Sequence, residues 1–419
     1  MTRAKISAVL VALGLALPLA TAAEDPGYFK IPGTDSTIKF YGYVQLDGTV
    51  DFGARTPDIE NADWATVLPV VPADGTANAK KKPQTYLTAR TSRFGIMTNT
   101  PTGAGPIGTR LEGDFNGPNG WQSENYTNSV VFRLRHAYGT FGGLLAGMTW
   151  TTFLDLGAAP DTVDFNGPGS LALVRNPMIR YTFTFSPGAT LALALENTRG
   201  QQFGPSSRFQ MVPDLHANFV FSGGWGHVSI RGVAQDYVRQ VGPAGSETNK
   251  SRYSVSGALS GSLKLGGDTL VAQVSGGPSI GRYLFNVVGN EFYHQLVDGA
   301  GSDTTFGFVT VDANGEIQFW PAYAYHVGFT HVWSSQFRSN VVWSQTFITD
   351  PEIDGNPADN AVQKEMMQAF VNTFFGFAKN CEFGIEYVYG QWKSFSTPTS
   401  PQLKGTQNRV NFSFHYNFF

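Results

Sequence analysis

The residues best suited to chemistry in this 419-residue chain are arginines. Arg90, Arg93, Arg110, Arg133, Arg135, Arg175 and Arg180 gather in its first half. Arg110 is followed at two-residue steps by Glu112 and Asp114, and Arg133 by Arg135 at the same step. In an extended chain, residues two apart share one face. Leu111, Phe132, Leu134, Ile179 and Tyr181 occupy the alternate positions, so the charges of Arg110, Arg133, Arg135 and Arg180 fall opposite an apolar face. A guanidinium is always charged and offers a planar fork that grips a carboxylate or phosphate through two hydrogen bonds. Such a row suits attracting and aligning small anions. The stretch 154–176, rich in Gly and Pro, carries Asp155, Asp161 and Asp164. If it folds back toward the arginines, its carboxylates face them and set up a transverse field. The alternative is that the arginines pair with Glu112, Asp114 and the loop aspartates as structural ion pairs.

Bond-breaking chemistry has little support. There is no Gly-x-Ser-x-Gly elbow, no His-Glu-x-x-His, no Gly-rich phosphate loop ahead of a helix, and no cysteine cluster. We therefore expect no catalytic residue, no metal and no cofactor. His136, His216, His326 and His331 are dispersed and read as structural or interfacial. Cys381 is the single cysteine and reads as a structural thiol in or beside a turn. Net charge is −3 and the basic residues are scattered apart from Lys80, Lys81 and Lys82, which argues against nucleic acid as a partner.

The elements that must position the arginines are strands. From about Lys39 onward, segments of roughly ten residues alternate apolar and polar, as in Ile179, Tyr181, Phe183 and Phe185 against Arg180, Thr182 and Thr184. About sixteen such segments can be placed, the second at 86–98 and the twelfth at 320–332. In the second, Leu87 and Ala89 are out of phase with Phe94 and Ile96, so Arg90 and Arg93 share a face only if a bulge intervenes. Connections after even-numbered segments are tight, as at Ser186-Pro187-Gly188 and Gly266-Gly267-Asp268, whereas those after odd-numbered segments are long, as at 53–85, 154–176, 278–318 and 349–365. Short periplasmic turns alternating with long outer loops are required of an even-stranded transmembrane barrel, and a β-sandwich has no reason to show them. The fold class is therefore all-β, a transmembrane antiparallel β-barrel. A charge facing lipid at mid-depth costs roughly 2 to 4 kcal/mol, which turns the arginines into the lumen.

The ends and composition agree. Arg3 and Lys5 precede an apolar run closed by Ala20-Thr21-Ala22-Ala23, which reads as a cleaved signal peptide over 1–23. Residues 24–38 form a short periplasmic lead-in and 39–419 the barrel, with the inward loop at about 154–176. No later stretch approaches the roughly twenty apolar residues of a membrane helix. Charged residues are 15% of the chain, well under the usual quarter, and aromatics are 14%. Trp150, Trp225, Trp320, Trp333, Tyr387, Tyr389 and Trp392 fit girdles at the two membrane interfaces, although each alone could equally pack under a loop.

The stretch from Phe29 to Val44, FKIPGTDSTIKFYGYV, resembles the opening of the DcaP-like family of outer-membrane porins. So do Ser92-Arg93-Phe94-Gly95, Leu111-Glu112-Gly113-Asp114-Phe115, Arg133 to Gly139 (RLRHAYG), Gly147 to Phe153 (GMTWTTF) and Asp164 to Pro168 (DFNGP). The resemblance covers roughly the first 45% of the chain. It implies a homotrimer of sixteen-stranded barrels with a positively charged constriction and passage of dicarboxylates and other small anions. Family members can carry an N-terminal coiled coil, for which no heptads stand between Glu24 and Lys39. The expected partners are small anionic solutes, outer-membrane lipid and, through the aromatic C-terminal strand, the barrel-assembly machinery. In that strand Phe418 is in register and Phe419 one step out. The competing functions are a non-selective diffusion porin, a structural or adhesin barrel, and an outer-membrane hydrolase.

Overall fold

The computed structural model describes residues 27–52, 68–80, 83–117, 131–197, 208–209, 211–241, 246, 248–287, 309–312, 314–352 and 362–418. Residues 1–26, where a signal peptide is expected, and Phe419 lie outside them. Alternating sequences with turn residues between them form sixteen antiparallel strands. They are β1 (Thr37–Asp51), β2 (in two pieces, Gln84–Thr88 and Arg93–Thr100), β3 (Ile107–Gly117), β4 (Val131–Phe141), β5 (Leu144–Trp150), β6 (Arg175–Ser186), β7 (Ala189–Glu196) and β8 (Asp214–Gly223). The second half comprises β9 (Gly226–Val241), β10 (Thr248–Leu265), β11 (Asp268–Gly277), β12 (Ala322–Val332), β13 (Phe337–Ile348), β14 (Gln363–Ala378), β15 (Cys381–Ser394) and β16 (Lys404–Asn417). Each pairs with the next, and β1 also pairs with β16 from Tyr43↔Asn417 to Asp51↔Arg409, which closes the sheet and leaves no open edge.

Alternation sorts the two faces. In β12, Ala322, Ala324 and His326 point inward and are buried, while Tyr323, Tyr325, Val327 and Phe329 are exposed on the outside. Leu111, Phe132, Leu134 and Ile179 are likewise exposed, as an outer wall solvated by hydrocarbon requires. Trp225, Trp333 and Tyr387 also face outward. Trp320 and Trp392 instead are buried inside, and Trp150 packs against the same interior cluster, so these three do not belong to a girdle. The turn between β10 and β11 has two residues, with Gly266 at φ +67°, a conformation that suits glycine. Cys381 is a free thiol that opens β15 directly after its turn. The lead-in pairs Phe29 and Lys30 with Ile38 and Thr37, so the first strand begins within the segment expected to precede the barrel.

Two irregularities aim the arginines. The segment expected as one strand at 86–98 is broken between Thr88 and Arg93, where Ser92 N–H bonds to Ala89 O at 3.0 Å. That turn absorbs the phase shift, leaving Arg90 almost wholly buried and Arg93 within reach of Glu112. Between β3 and β4, Glu112 pairs with His136 and Gly113 with Leu134, so Arg135 is the extra residue of a bulge. Arg135 and His136 are both buried as a result.

The lumen has a packed side. Phe153, Leu154, Leu171 and Ala172 of the loop after β5, Ile280, Tyr283, Leu284 and Val287 after β11, and Leu68 and Val71 after β1 form one apolar cluster. It rests on Val233, Ala258, Ala324, Ile348, Met366 and Trp392 of β9 to β15. Burying each large apolar side chain contributes about 1.5 to 3 kcal/mol, so these loops are part of the fold.

Candidate solute passage

The arginine wall is built on β2 to β6. Arg133 grips Asp114 with two bonds, Nε to Oδ1 at 2.9 Å and Nη2 to Oδ2 at 2.7 Å. Arg135 bridges both carboxylates, Nε to Glu112 Oε1 and Nη1 to Asp114 Oδ2, each at 2.8 Å. Arg110 donates to Glu112 Oε2 at 2.6 Å and to the Tyr41 hydroxyl at 2.8 Å, and that hydroxyl donates to Glu112 at 2.9 Å. Arg93 lies 3.4 Å from Glu112 and 5.0 Å from the ring centre of Tyr43. Glu112 and Asp114 are thus the shared counter-ions that let several guanidinium groups crowd together.

Arg175 adds charge without adding a carboxylate. Its guanidinium lies 3.5 Å from the ring centre of Trp150, and Arg135, Arg133 and Arg93 are its electrostatic neighbours. Five arginines (93, 110, 133, 135 and 175) therefore stand around the two carboxylates that pair with them (112 and 114), so among the described residues the guanidinium groups outnumber their counter-ions by 5 − 2 = 3. Arg90 bonds within its own strand to Thr88 Oγ1 and Tyr86 OH, at 3.3 and 3.2 Å. Arg180, half-buried on β6, has Glu196 and Tyr138 as electrostatic neighbours.

The loop after β5 crosses to the other wall. Glu196 at the end of β7 accepts from Thr152 N–H at 2.6 Å and Asn176 Nδ2 at 2.8 Å, fixing both roots of the loop. Arg231 of β9 donates to Phe153 O at 2.5 Å. Asp155 is bonded by His227 Nε2 at 2.8 Å and Ser260 Oγ at 2.6 Å. Burial alone would raise its carboxyl, but the His227 bond and charge, Arg231 and Ser260 outweigh burial and hold it below its ordinary value. Arg338 of β13 donates to Asp161 at 2.6 Å while also holding Glu382. Glu386 of β15 accepts from the backbone of Val163 and Asp164, at 3.0 and 2.8 Å. Gln368 accepts from Gly169 N–H, and Ser170 bonds to His326, both at 2.9 Å. Inward glycines make room for the loop. A Cβ on Gly328 would sit 2.8 Å from Pro160, and one on Gly384 would sit 2.9 Å from Val163.

The expectation that the loop aspartates face the arginine wall fails for Asp155 and Asp161, which are occupied by partners on β9, β10 and β13. Buried Asp164 accepts from Asn166 N–H, and its neighbour Phe165 has its ring 5.8 Å from Arg135. The counter-ions of the wall come instead from β3, because Glu112 and Asp114 have the alternation that aims them inward beside it. Glu196, Arg231, Arg338, Glu386, Gln368 and Arg409 lie outside the row of candidates that the sequence singles out. A charged residue between apolar neighbours, as Glu386 between Ile385 and Tyr387, was the available signal.

Comparison with known proteins places this architecture. The family model for the DcaP outer membrane protein matches residues 12–418. The channel DcaP of Acinetobacter baumannii superposes with a TM-score of 0.73 at 22% identity, over 93% of this chain and 99% of that one. OmpF of Salmonella typhi superposes at 0.53 and 11% identity, over 93% and 100%. Porin Omp2b of Brucella suis is 26% identical over 234 residues, 50% of this chain and 55% of the relative, so the chain spans about half the length of the curated relatives it matches.

Proposed function

Because the chain belongs to the DcaP outer membrane protein family, and with it to the bacterial outer membrane, we propose that it is a porin through which small hydrophilic solutes diffuse passively, anions preferentially. The observation that carries this reading is the cluster of five arginines around Glu112 and Asp114 on an inward wall. The apolar cluster packs against β9 to β15, and this reading takes solutes along the opposite, arginine-bearing wall. In a narrow, low-dielectric lumen such a field concentrates anions and repels cations. Carboxylates, dicarboxylates among them, match the guanidinium fork. Catalysis plays no part in this reading, since the buried His326 and Ser170 are bonded into the loop anchorage.

The assembly proposed is a homotrimer. The solved relatives of this fold include a trimer form of OmpT of Vibrio cholerae, which superposes at a TM-score of 0.53 with 12% identity. The refolded protein in a planar bilayer with a KCl gradient tests both points. Closures in steps of three and a reversal potential on the chloride side are expected. A reversal potential on the potassium side would overturn the anion preference, and a silent bilayer would favour a structural barrel.

A further inference from the structure

Arg175 differs from the other guanidinium groups around Glu112 and Asp114. Arg93, Arg110, Arg133 and Arg135 each have a carboxylate oxygen within 4 Å, whereas Arg175 has none among the described residues; its buried Nε, like that of Arg93, has no hydrogen-bond partner. What holds it is the face of Trp150, at 3.5 Å. Stacking engages the face of a guanidinium and leaves its N–H edge free, so the group is positioned without spending its donors. Trp150 is itself held. His136 meets it edge-on at 6.1 Å and 71°, and His136 Nδ1 is bonded to Thr149 Oγ1 at 2.9 Å. Arg135 lies 5.7 Å from the same ring and 5.8 Å from that of Phe165 on the crossing loop. Cations and rings thus alternate, Arg175, Trp150, Arg135 and Phe165, from the wall to the loop.

We propose that Arg175 is the specificity-determining residue of the passage, holding a two-oxygen anion, a carboxylate or a phosphate, edge-on through parallel hydrogen bonds while Trp150 fixes its plane. The inference rests on the anion-passage reading above and adds a selection by shape. A halide has no second oxygen for the fork, so it feels the field of the wall but not the pairing. A lysine in the same place keeps the charge and loses the fork.

The test is conductance in KCl across a planar bilayer, with inorganic phosphate and, separately, acetate added as blockers, for the wild type, Arg175→Lys and Trp150→Leu. Both variants keep every charge of the wall, and in both the concentration for half-block rises about tenfold, the equivalent of one charge-assisted bond. Phosphate and acetate respond together if two oxygens are the recognised feature. If only phosphate loses potency, the site is one for phosphate and the carboxylate half of the inference falls. Unchanged block in both variants, with chloride preference intact, would overturn the role of Arg175 alone. A wild-type channel without chloride preference would overturn the proposed function instead. Trp150→Leu keeps every charge, so it decides the matter should Arg175→Lys not assemble.

Discussion

Asp51 and Arg409 stand directly opposite one another across the seam at which β1 meets β16, joined by two bonds of 2.7 Å each, with the guanidinium wholly buried. The pair thus lies on the contact that converts a curled sheet into a closed barrel. Removing one member of a buried ion pair costs about 3 to 5 kcal/mol, whereas replacing both with apolar residues can be neutral. Asp51→Asn should therefore lower the thermal unfolding midpoint in detergent clearly, and Asp51→Leu with Arg409→Met should recover part of the loss. Equal midpoints for the wild type and Asp51→Asn would remove the seam from the account of stability.

Gly328 and Gly384 are inward strand positions where an added Cβ would meet the crossing loop, at Pro160 and Val163, and at Gly384 also the ring of Phe374. Gly328→Val places a Cβ 2.8 Å from that of Pro160. Overpacking of this kind costs about 1 to 3 kcal/mol, and the loop is the more easily moved partner. We expect an altered single-channel conductance and a lower midpoint, while an unchanged current trace would show that the glycine is not part of the seat.

Glu386 binds four donors, the backbone N–H groups of Val163 and Asp164 and the side-chain amides of Asn372 and Asn411. Glu386→Ala strands three of them, since Asn372 Nδ2 keeps its bond to Asp161 O, and each unsatisfied buried donor costs about 1 to 3 kcal/mol. The expected phenotype is a barrel that still assembles but whose open-channel current is noisier, because the loop has lost its central clamp. Currents as quiet as those of the wild type would mean that the remaining anchors suffice.

Arg133→Ala combined with Arg135→Ala removes two of the five clustered cations and leaves Asp114 without either guanidinium. The reversal potential should move toward the potassium side. In the wild type the chloride preference should shrink between about 0.1 M and 1 M salt, as the screening length falls from about 10 Å to about 3 Å. A preference insensitive to both changes would place the selecting field elsewhere in the lumen.

Much of the architecture was legible in the chain because it is encoded locally. Alternation such as Ile179 to Phe185 depends only on the two-residue period of a strand, and long and short connections depend on where Gly, Pro and Asn cluster. Sixteen strands, the outward apolar face and the inward Glu112, Asp114, Arg133 and Arg135 follow from those features. The break at Ala89 to Ser92 left a trace as a phase error, and its form as a turn came only with the fold. Which carboxylate meets which cation is a different kind of question. Arg338 and Asp161 are 177 residues apart, and Glu386 meets Val163 across 223. Closing the barrel brings such groups together, and a loop carboxylate leaves water only for the partner that closure puts within its reach. Composition and period therefore determined the barrel and the wall, whereas the destination of the loop, the packed half of the lumen and the stacking of Arg175 on Trp150 were decided by tertiary structure, because contact at a few ångströms depends on the path of the whole sheet.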